Sequence, residues 1–345
     1  MSSVVPVPPT SLAELTTLRL GGPAKELVEA HDEATLIEAV SSADQAGTPV
    51  LVVGGGSNLV VADEGYAGRV VVVRNTGLAV EADTCGGAYV EIGAGHPWDD
   101  VVATAVEREW VGIEALSGIP GTTGATPIQN VGAYGQEVAQ TIARVRTWDR
   151  KLRGVRTWTA SECLFGYRTS RFKQDPTRFV VLSTTFQLTL GDLGTPVRYA
   201  ELASALGVEL GERAPASDVR AAVLELRGRK GMVLDATDHD TWSTGSFFTN
   251  PVISPDDVPE GAPAWPQPDG LVKTSAAWLI EHAGFTKGYG NDAVRVSSRH
   301  TLALTNRGGG TTAALLDLAR EIRDGVRERF GVDLVNEPVL VGCEL

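Results

Sequence analysis

Gly112-Ile-Glu-Ala-Leu-Ser-Gly-Ile-Pro-Gly-Thr-Thr-Gly-Ala-Thr-Pro-Ile-Gln-Asn-Val-Gly-Ala-Tyr-Gly135 gathers glycines, hydroxyls and side-chain amides into one tract. A simple turn needs only one or two such residues, so a tract of this length reads as a loop built around a ligand. Its backbone presents many N–H donors at close range, and the hydroxyls of Ser117, Thr122 and Thr123 add to them. That inventory suits a pyrophosphate and a flavin or nucleotide ring. The residues expected at the ligand are Ser117, Gly118, Ile119, Pro120, Gly121, Thr122, Thr123, Gly124, Ala125, Gln129, Asn130 and Gly132.

A second loop, Gly54-Gly55-Gly56-Ser57-Asn58, follows the apolar run Val50 to Val53 and is followed in turn by Leu59. Three glycines let backbone N–H groups converge on an anion, phosphate above all, where side chains would block the approach. Taken alone, the same residues also read as a tight turn. Leu59 stands where a dinucleotide fingerprint needs its third glycine, and a strand follows where that motif needs a helix, so this is not a Rossmann turn. No Gly-Lys-Ser/Thr ending marks a nucleoside-triphosphate loop.

Outward from these loops, the chain alternates between strand and helix patterns. Lys25 to Ala30 alternates as a strand, and Asp32 opens a helix with Leu36, Val40 and Ala43 on one side that Gly47 and Pro49 stop. Leu59 to Ala62 and Arg69 to Val73 read as strands around the turn Asp63-Glu64-Gly65. Pro97 is placed as the first residue of a helix with Asp99 and Asp100 in its first turn. Arg144 to Trp148 and Val180 to Thr189 are strands, and Ser217 caps a helix through Leu226 that Gly228 ends. The C-terminal part holds a helix from Ser275 to Ala283 and a strand around Leu302 to Leu304. An amphipathic helix with Leu315, Leu318, Ile322 and Val326 follows, then a strand from Val332 to Leu345. The class is α+β, and 345 residues imply two or three compact units.

With 43% hydrophobic and 21% charged residues the chain is a folded one, and its formal charge of −13 repels nucleic acid and anionic membrane surfaces. An anionic small ligand therefore needs a private basic pocket. Met1 to Thr17 lacks a basic start followed by a long apolar run, and no stretch approaches the ~18 apolar residues of a membrane span, so a cytoplasmic protein is expected. Cys85, Cys163 and Cys343 are odd in number and far apart, which fits buried small residues better than disulfides or zinc. His31, His96, His239, His282 and His300 form no ligand pattern, and no metal is expected.

Both loops recur in order with Thr17-Leu-Arg-Leu-Gly-Gly-Pro23, Gly166-Tyr-Arg168, Gly245-Ser-Phe-Phe-Thr-Asn-Pro251, Ala277-Trp-Leu-Ile280 and Asn336-Glu-Pro338. Together these landmarks resemble the UDP-N-acetylenolpyruvoylglucosamine reductases, also called UDP-N-acetylmuramate dehydrogenases, over nearly the whole chain. The resemblance implies a two-lobed FAD-binding domain of the vanillyl-alcohol-oxidase type plus a C-terminal α+β substrate-binding domain. On that pattern residues 1–78 form the first lobe, 79–215 joined by 331–345 the second, and 216–330 the substrate domain. Tyr199, in Val197-Arg-Tyr-Ala-Glu-Leu202, resembles the tyrosine that a long-form loop brings over the sugar nucleotide. One departure stands out: the segment from Lys230 to Ser246 is longer than in the family pattern.

The implied reaction saturates the enolpyruvyl ether of a UDP-sugar, with NADPH reducing non-covalently bound FAD and the reduced flavin delivering hydride to the vinyl carbon. Negative charge then spreads into the substrate carboxylate as an enolate. Arg168 is the cation expected on that charge, because a guanidinium stays protonated and grips a carboxylate with two parallel hydrogen bonds. Ser246 is the expected proton donor to the neighbouring carbon; no Gly-x-Ser-x-Gly elbow surrounds it, which disfavours a hydrolase nucleophile. Glu337, between Val335 and Val339-Leu-Val341, is expected to act as a neutral hydrogen-bond donor in an apolar setting. Among Arg227, Arg229, Lys230, Lys273 and Lys287, Lys230 and Lys273 are the ones assigned to the UDP diphosphate, with Asn250 as a substrate-side amide. His96 offers a point for covalent flavin attachment, but a helix start before Pro97 explains it more simply. The working unit is expected to be a monomer. Two rival readings are another FAD-linked oxidase or dehydrogenase of the same fold and a non-catalytic UDP-sugar binding protein.

Overall fold

In the computed structural model, which describes residues 11–83 and 86–345, Val50–Val53 lies parallel to Tyr66–Val73 with Val50 opposite Arg69 and Val53 opposite Val72. Ala24–Ala30 completes a three-stranded sheet on the other side of Tyr66–Val73. The helix Glu33–Gln45 connects the outer strands, begun by the Asp32 carboxylate, which accepts the Thr35 N–H at 2.7 Å. Its buried side is Leu36, Val40 and Ala43, the set read from the sequence, together with Ala39. The expectation for Cys85 lies outside the described residues.

The chain divides into two compact units. One comprises Met1–Lys25, Gly56–Ala67 and Arg229–Leu345, the other Glu26–Gly55 and Gly68–Gly228. The sequence reading cuts the chain instead at 78/79, 215/216 and 330/331.

In the Glu26–Gly55, Gly68–Gly228 unit, antiparallel strands run in the order Gly154–Thr159, Ile142–Asp149, Phe179–Leu190, Gly87–Gly93, Leu78–Asp83, and Trp110–Val111 pairs with the far end of Phe179–Leu190. Hairpin connections and alternation along Ile142–Asp149 explain why one face is buried and the other wet. Against the buried face packs the helix Trp98–Glu107, whose Trp98 ring lies 5.6 Å from that of Phe186. Pro97 is the cap and Trp98 the first helical residue, one position later than expected. The helix Ala216–Arg229 runs through Gly228 and contains Ser217, so neither residue is the boundary the sequence suggests. A helical glycine costs only about 1 kcal/mol relative to alanine, and the buried Val219, Val223 and Leu226 outweigh it.

The other unit is built around the helix Thr312–Phe330, which buries Leu315, Leu318, Ile322 and Val326 as its spacing predicts. Asp63, in the turn after Leu59–Val61, accepts the N–H groups of Thr312 and Ala313 at 2.8 and 2.9 Å and so holds the first turn of that helix. Ala276–His282 packs beside it, starting from Ser275. The hairpin Val294–Val296 with Leu304–Asn306 replaces the strand expected at Leu302 to Leu304. Of Val332 to Leu345 only Val339–Val341 is strand, parallel to Leu59–Val61. The two pieces lie far apart in sequence, and their pairing is a tertiary choice that no local period announces. Cys163 is fully buried and Cys343 half-buried. Among the described residues no helix is long and apolar enough to cross a membrane, and no group of three or more His, Cys, Asp or Glu could hold a metal ion.

Candidate active site

Gly54 and Gly55, which open the first glycine loop, meet the longer glycine tract within one unit. A Cβ on Gly54 would lie 2.3 Å from Thr122 Oγ1, and one on Gly55 would lie 2.6 Å from the Cα of Gly121. Backbone therefore runs against backbone, and only glycine allows it. Gly118 and Gly121 hold φ of +69° and +120°, which again suits glycine. Such loops suit a flavin dinucleotide, whose pyrophosphate would be held by backbone N–H groups that Cβ atoms do not screen. Not every donor counted from the sequence is available, however. Ser117 donates to the Glu114 carbonyl at 2.7 Å and Thr123 to the His96 carbonyl at 3.0 Å, while the Gly118 N–H is held by Asp99 at 2.6 Å. These groups shape the loop from within.

Gly55→Ala is accordingly expected to push the loops apart, at a cost of about 1–3 kcal/mol in thermal or denaturant unfolding. It should also lower the visible flavin absorbance retained per chain after purification. Full flavin content in a stable variant would show that the close approach has no bearing on the cofactor.

Asp99 is itself locked. Burial raises its pKa, but hydrogen bonds from Arg220 and the Gly118 N–H outweigh this and hold the carboxyl below its ordinary range. Arg220 grips it with two bonds of 2.7 and 2.9 Å.

Sequence reasoning overlooked a second support, Glu114, which is 1% exposed. Its carboxylate accepts the Gly112 N–H, the Gln136 amide and the Thr195 N–H, each at 2.7 Å, and the Thr195 hydroxyl at 3.0 Å. It thereby ties both ends of the glycine tract to the irregular stretch near Thr195, from which the chain runs on to Tyr199. A lone acid inside Ile-Glu-Ala-Leu was the available signal, since an acid among apolar residues is buried only when donors surround it.

Arg168 sits in the left-handed region with φ of +52°. Its Nη2 donates to the Gly132 carbonyl at 2.7 Å and its Nη1 to the Asn130 carbonyl at 3.3 Å, so the guanidinium is anchored on the end of the glycine tract. Asn130, buried at 1% exposure, accepts the Ala139 N–H and donates to Glu137 and the Gly166 carbonyl. Tyr199 is 46% exposed, and its ring meets Tyr134 edge-on at 5.4 Å. Burial pushes the Tyr134 phenol up to about 12 despite the nearby Arg227, and burial lowers Arg227 to about 10.

The segments that carry Ser246, Glu337 and Asn58 pair with one another in the other unit. The Glu337 N–H donates to the Phe247 carbonyl at 2.8 Å, Phe248 bridges Asn336, and the Val339 N–H donates to the Asn58 carbonyl at 2.9 Å. Residues from three distant stretches thus lie side by side. Val335 and Val339 are 63% and 47% exposed, so the apolar enclosure expected for Glu337 from its neighbours in sequence is not supplied by them. Asn250 uses its side-chain oxygen to accept the Ala276 N–H at 3.0 Å, at the start of the helix Ala276–His282. Lys273 lies mid-strand between Val252 and Trp265, and Lys230 stands just before Gly231, whose φ is +65°.

A family model described as UDP-N-acetylenolpyruvoylglucosamine reductase, C-terminal domain, matches residues 236–341, and one described as FAD binding domain matches residues 24–152. The chain is 58% identical to the UDP-N-acetylenolpyruvoylglucosamine reductase of Cutibacterium acnes over 337 residues, 97% of this chain and 90% of that protein. It belongs to the UDP-N-acetylenolpyruvoylglucosamine reductase family. The Streptomyces avermitilis reductase is 54% identical over 97% of this chain and 94% of its own length. Among solved structures, the UDP-N-acetylenolpyruvylglucosamine reductase of Thermus caldophilus is similar with a TM-score of 0.64 at 25% identity, covering 96% of this chain and 97% of that one. The reductase family accounts for the α+β fold, with its FAD-binding domain and C-terminal reductase domain, and for both glycine loops. The protein is an FAD-dependent oxidoreductase.

Proposed function

We propose that this chain reduces UDP-N-acetyl-3-O-(1-carboxyvinyl)-glucosamine to UDP-N-acetylmuramate with NADPH, a step of peptidoglycan synthesis. Family membership over almost the entire chain carries this reading. The C-terminal reductase match over 236–341 weighs against another FAD-linked oxidase of the same fold. Bound FAD would supply the hydride chemistry that links NADPH to the substrate double bond. The protein's own tasks are to hold the cofactor, orient the enolpyruvyl carboxylate, stabilise the charge that builds on it and supply one proton.

Gly54, Gly55, Gly56, Ser57, Asn58 and Leu59, with the tract from Ser117 to Gly132, are assigned to FAD, held without a covalent link. The His96 Nδ1 acceptor, 3.4 Å from the Gly77 N–H, supports a structural place for that ring. Arg168 receives the carboxylate, and the two carbonyls that anchor it fix the plane of the guanidinium. Ser246 gives its hydroxyl proton to the carbon beside the carboxylate, and Glu337 donates a hydrogen bond to the enolate. Tyr199, Lys230, Lys273 and Asn250 bind the nucleotide portion; in Asn250 the amide N–H groups are the ones assigned, since its oxygen holds Ala276. In this scheme residues 1–78 and 79–215 with 331–345 serve the cofactor, and 216–330 the substrate. The enzyme is assigned to the cytoplasm, with a monomer as its working unit.

Stopped-flow absorbance tests the reaction. The purified protein should be yellow, should bleach on mixing with NADPH without air, and should regain colour when the enolpyruvyl sugar nucleotide is added. A colourless protein that consumes no NADPH would favour a binding protein instead, and bleaching without recovery by this substrate would leave a different oxidoreductase.

A further inference from the structure

Asp240 lies in the long segment between Lys230 and Ser246 and is 4% exposed. Its carboxylate accepts from Ser297 Oγ and Ser298 Oγ at 2.9 Å, from the Ser298 N–H and Arg299 Nε at 3.1 Å, and from Arg307 Nη1 at 3.0 Å. Arg299 is shared with Asp238, the residue that starts the turn containing Asp240. Two acids and two guanidiniums thus form one cluster within this unit.

The cluster leads to Ser246 by a short route. The Ser297 hydroxyl that donates to Asp240 also accepts the N–H groups of Arg299 and His300, at 3.0 and 3.1 Å, and so shapes the turn after residue 297. The Ser297 N–H donates to the Ala303 carbonyl at 2.8 Å, Ala303 bridges Ser246, and the Phe247 N–H donates to the Leu302 carbonyl at 2.7 Å. On the other side of Asp240 the chain is tied again before it reaches Ser246. The Trp242 carbonyl accepts from the Asn306 N–H at 3.1 Å, and the Ser243 carbonyl accepts from Thr17 Oγ1 at 2.7 Å. The partners of Ser246 and Phe247, Ala303 and Leu302, thus follow directly on the turn that Asp240 holds.

A well-packed apolar group often serves stability as well as a buried ion cluster does, whereas a polar hub with this many directional bonds specifies one arrangement. We propose that Asp240 is a positioning residue for Ser246: the long Lys230–Ser246 segment holds the proton-donating hydroxyl in place by locking the turn that pairs with it. This rests on Ser246 being the proton donor. A displacement of about 1 Å in a reacting group is enough to cost on the order of 100-fold in rate.

The test uses the holoenzyme. Asp240→Asn should leave flavin reduction by NADPH unchanged and slow reoxidation by the enolpyruvyl substrate by about 10- to 100-fold. Residues 243–248 should show faster amide hydrogen exchange. Because the effect runs through Ser246, the double variant Asp240→Asn/Ser246→Ala should reoxidise no more slowly than Ser246→Ala alone. Equal slowing of both half-reactions, additive losses in the double variant, or normal reoxidation in Asp240→Asn beside a slow Ser246→Ala would each overturn the positioning role. Normal reoxidation in Ser246→Ala would instead remove the proton-donor reading and this inference with it. If Asp240→Asn does not fold, Ser297→Ala, which deletes a single donor to Asp240, carries the same comparison.

Discussion

Ser246→Ala is expected to leave reduction of the bound flavin by NADPH at its normal rate while slowing reoxidation by the enolpyruvyl sugar nucleotide by about 10²–10⁴-fold. The asymmetry follows from where a proton is needed. Taking a hydride from NADPH asks nothing of a protein acid, whereas saturating the vinyl ether requires a proton on the carbon beside the carboxylate. A serine hydroxyl is a weak acid, but the acceptor here is carbanion-like and strongly basic, so no activated carboxylic acid is required. The environment suits a fixed donor: Gly245 has φ of +76°, Phe247 and Phe248, the next two residues, are buried, and Ala303 bridges the serine itself. Rapid mixing with each substrate in turn separates the halves. Equal loss in both, or none in reoxidation, would sink the assignment.

Arg168→Lys should lower turnover by about 10²–10³-fold with little loss of flavin. Lysine keeps the charge but not the planar fork, so it can neither hold a carboxylate through two parallel bonds nor keep both anchors on the Gly132 and Asn130 carbonyls. The positive φ of Arg168 aims the side chain, and that backbone shape is unchanged by the substitution. Steady-state rates with flavin content measured on the same sample check the expectation. Near-normal turnover would mean that the guanidinium only braces the end of the glycine tract.

Much of the fold was legible in local pattern. The helix Glu33–Gln45 and the helix Thr312–Phe330 bury the apolar sets read from their 3.6-residue period, and the strand before Gly54 stands where its apolar run placed it. Boundaries failed where packing overrode propensity. The helix Ala216–Arg229 passes through Gly228 because its apolar side is buried. The C-terminal strand shrinks to Val339–Val341 because only that piece finds a partner, in Leu59–Val61. In the candidate site, residue types singled out two glycine loops, but a count of hydroxyls overstated the donors, since Ser117 and Thr123 turn inward to carbonyls of their own unit. Glu114 and Asp240 were missed for the converse reason. Their partners come from residues 112, 136 and 195 in one case and 297 to 307 in the other, and no spacing along the chain announces such meetings.

The amino-acid sequence by itself determined the residue chemistry of this protein: glycines where backbone must approach backbone, a permanent cation at 168, a hydroxyl at 246, and the apolar periods that make helices and strands. The tertiary structure decided which of these groups act on each other. It set Gly121 where a Cβ on Gly55 would fall 2.6 Å from its Cα, bonded Glu337 to Phe247, the residue after Ser246, and Val339 to Asn58, and turned Asn250 into a helix cap. Local pattern depends on neighbours a few residues away, whereas these contacts join residues tens to hundreds of positions apart. Only the packed chain, once the entropy of closing those loops has been overcome, brings them within hydrogen-bonding reach.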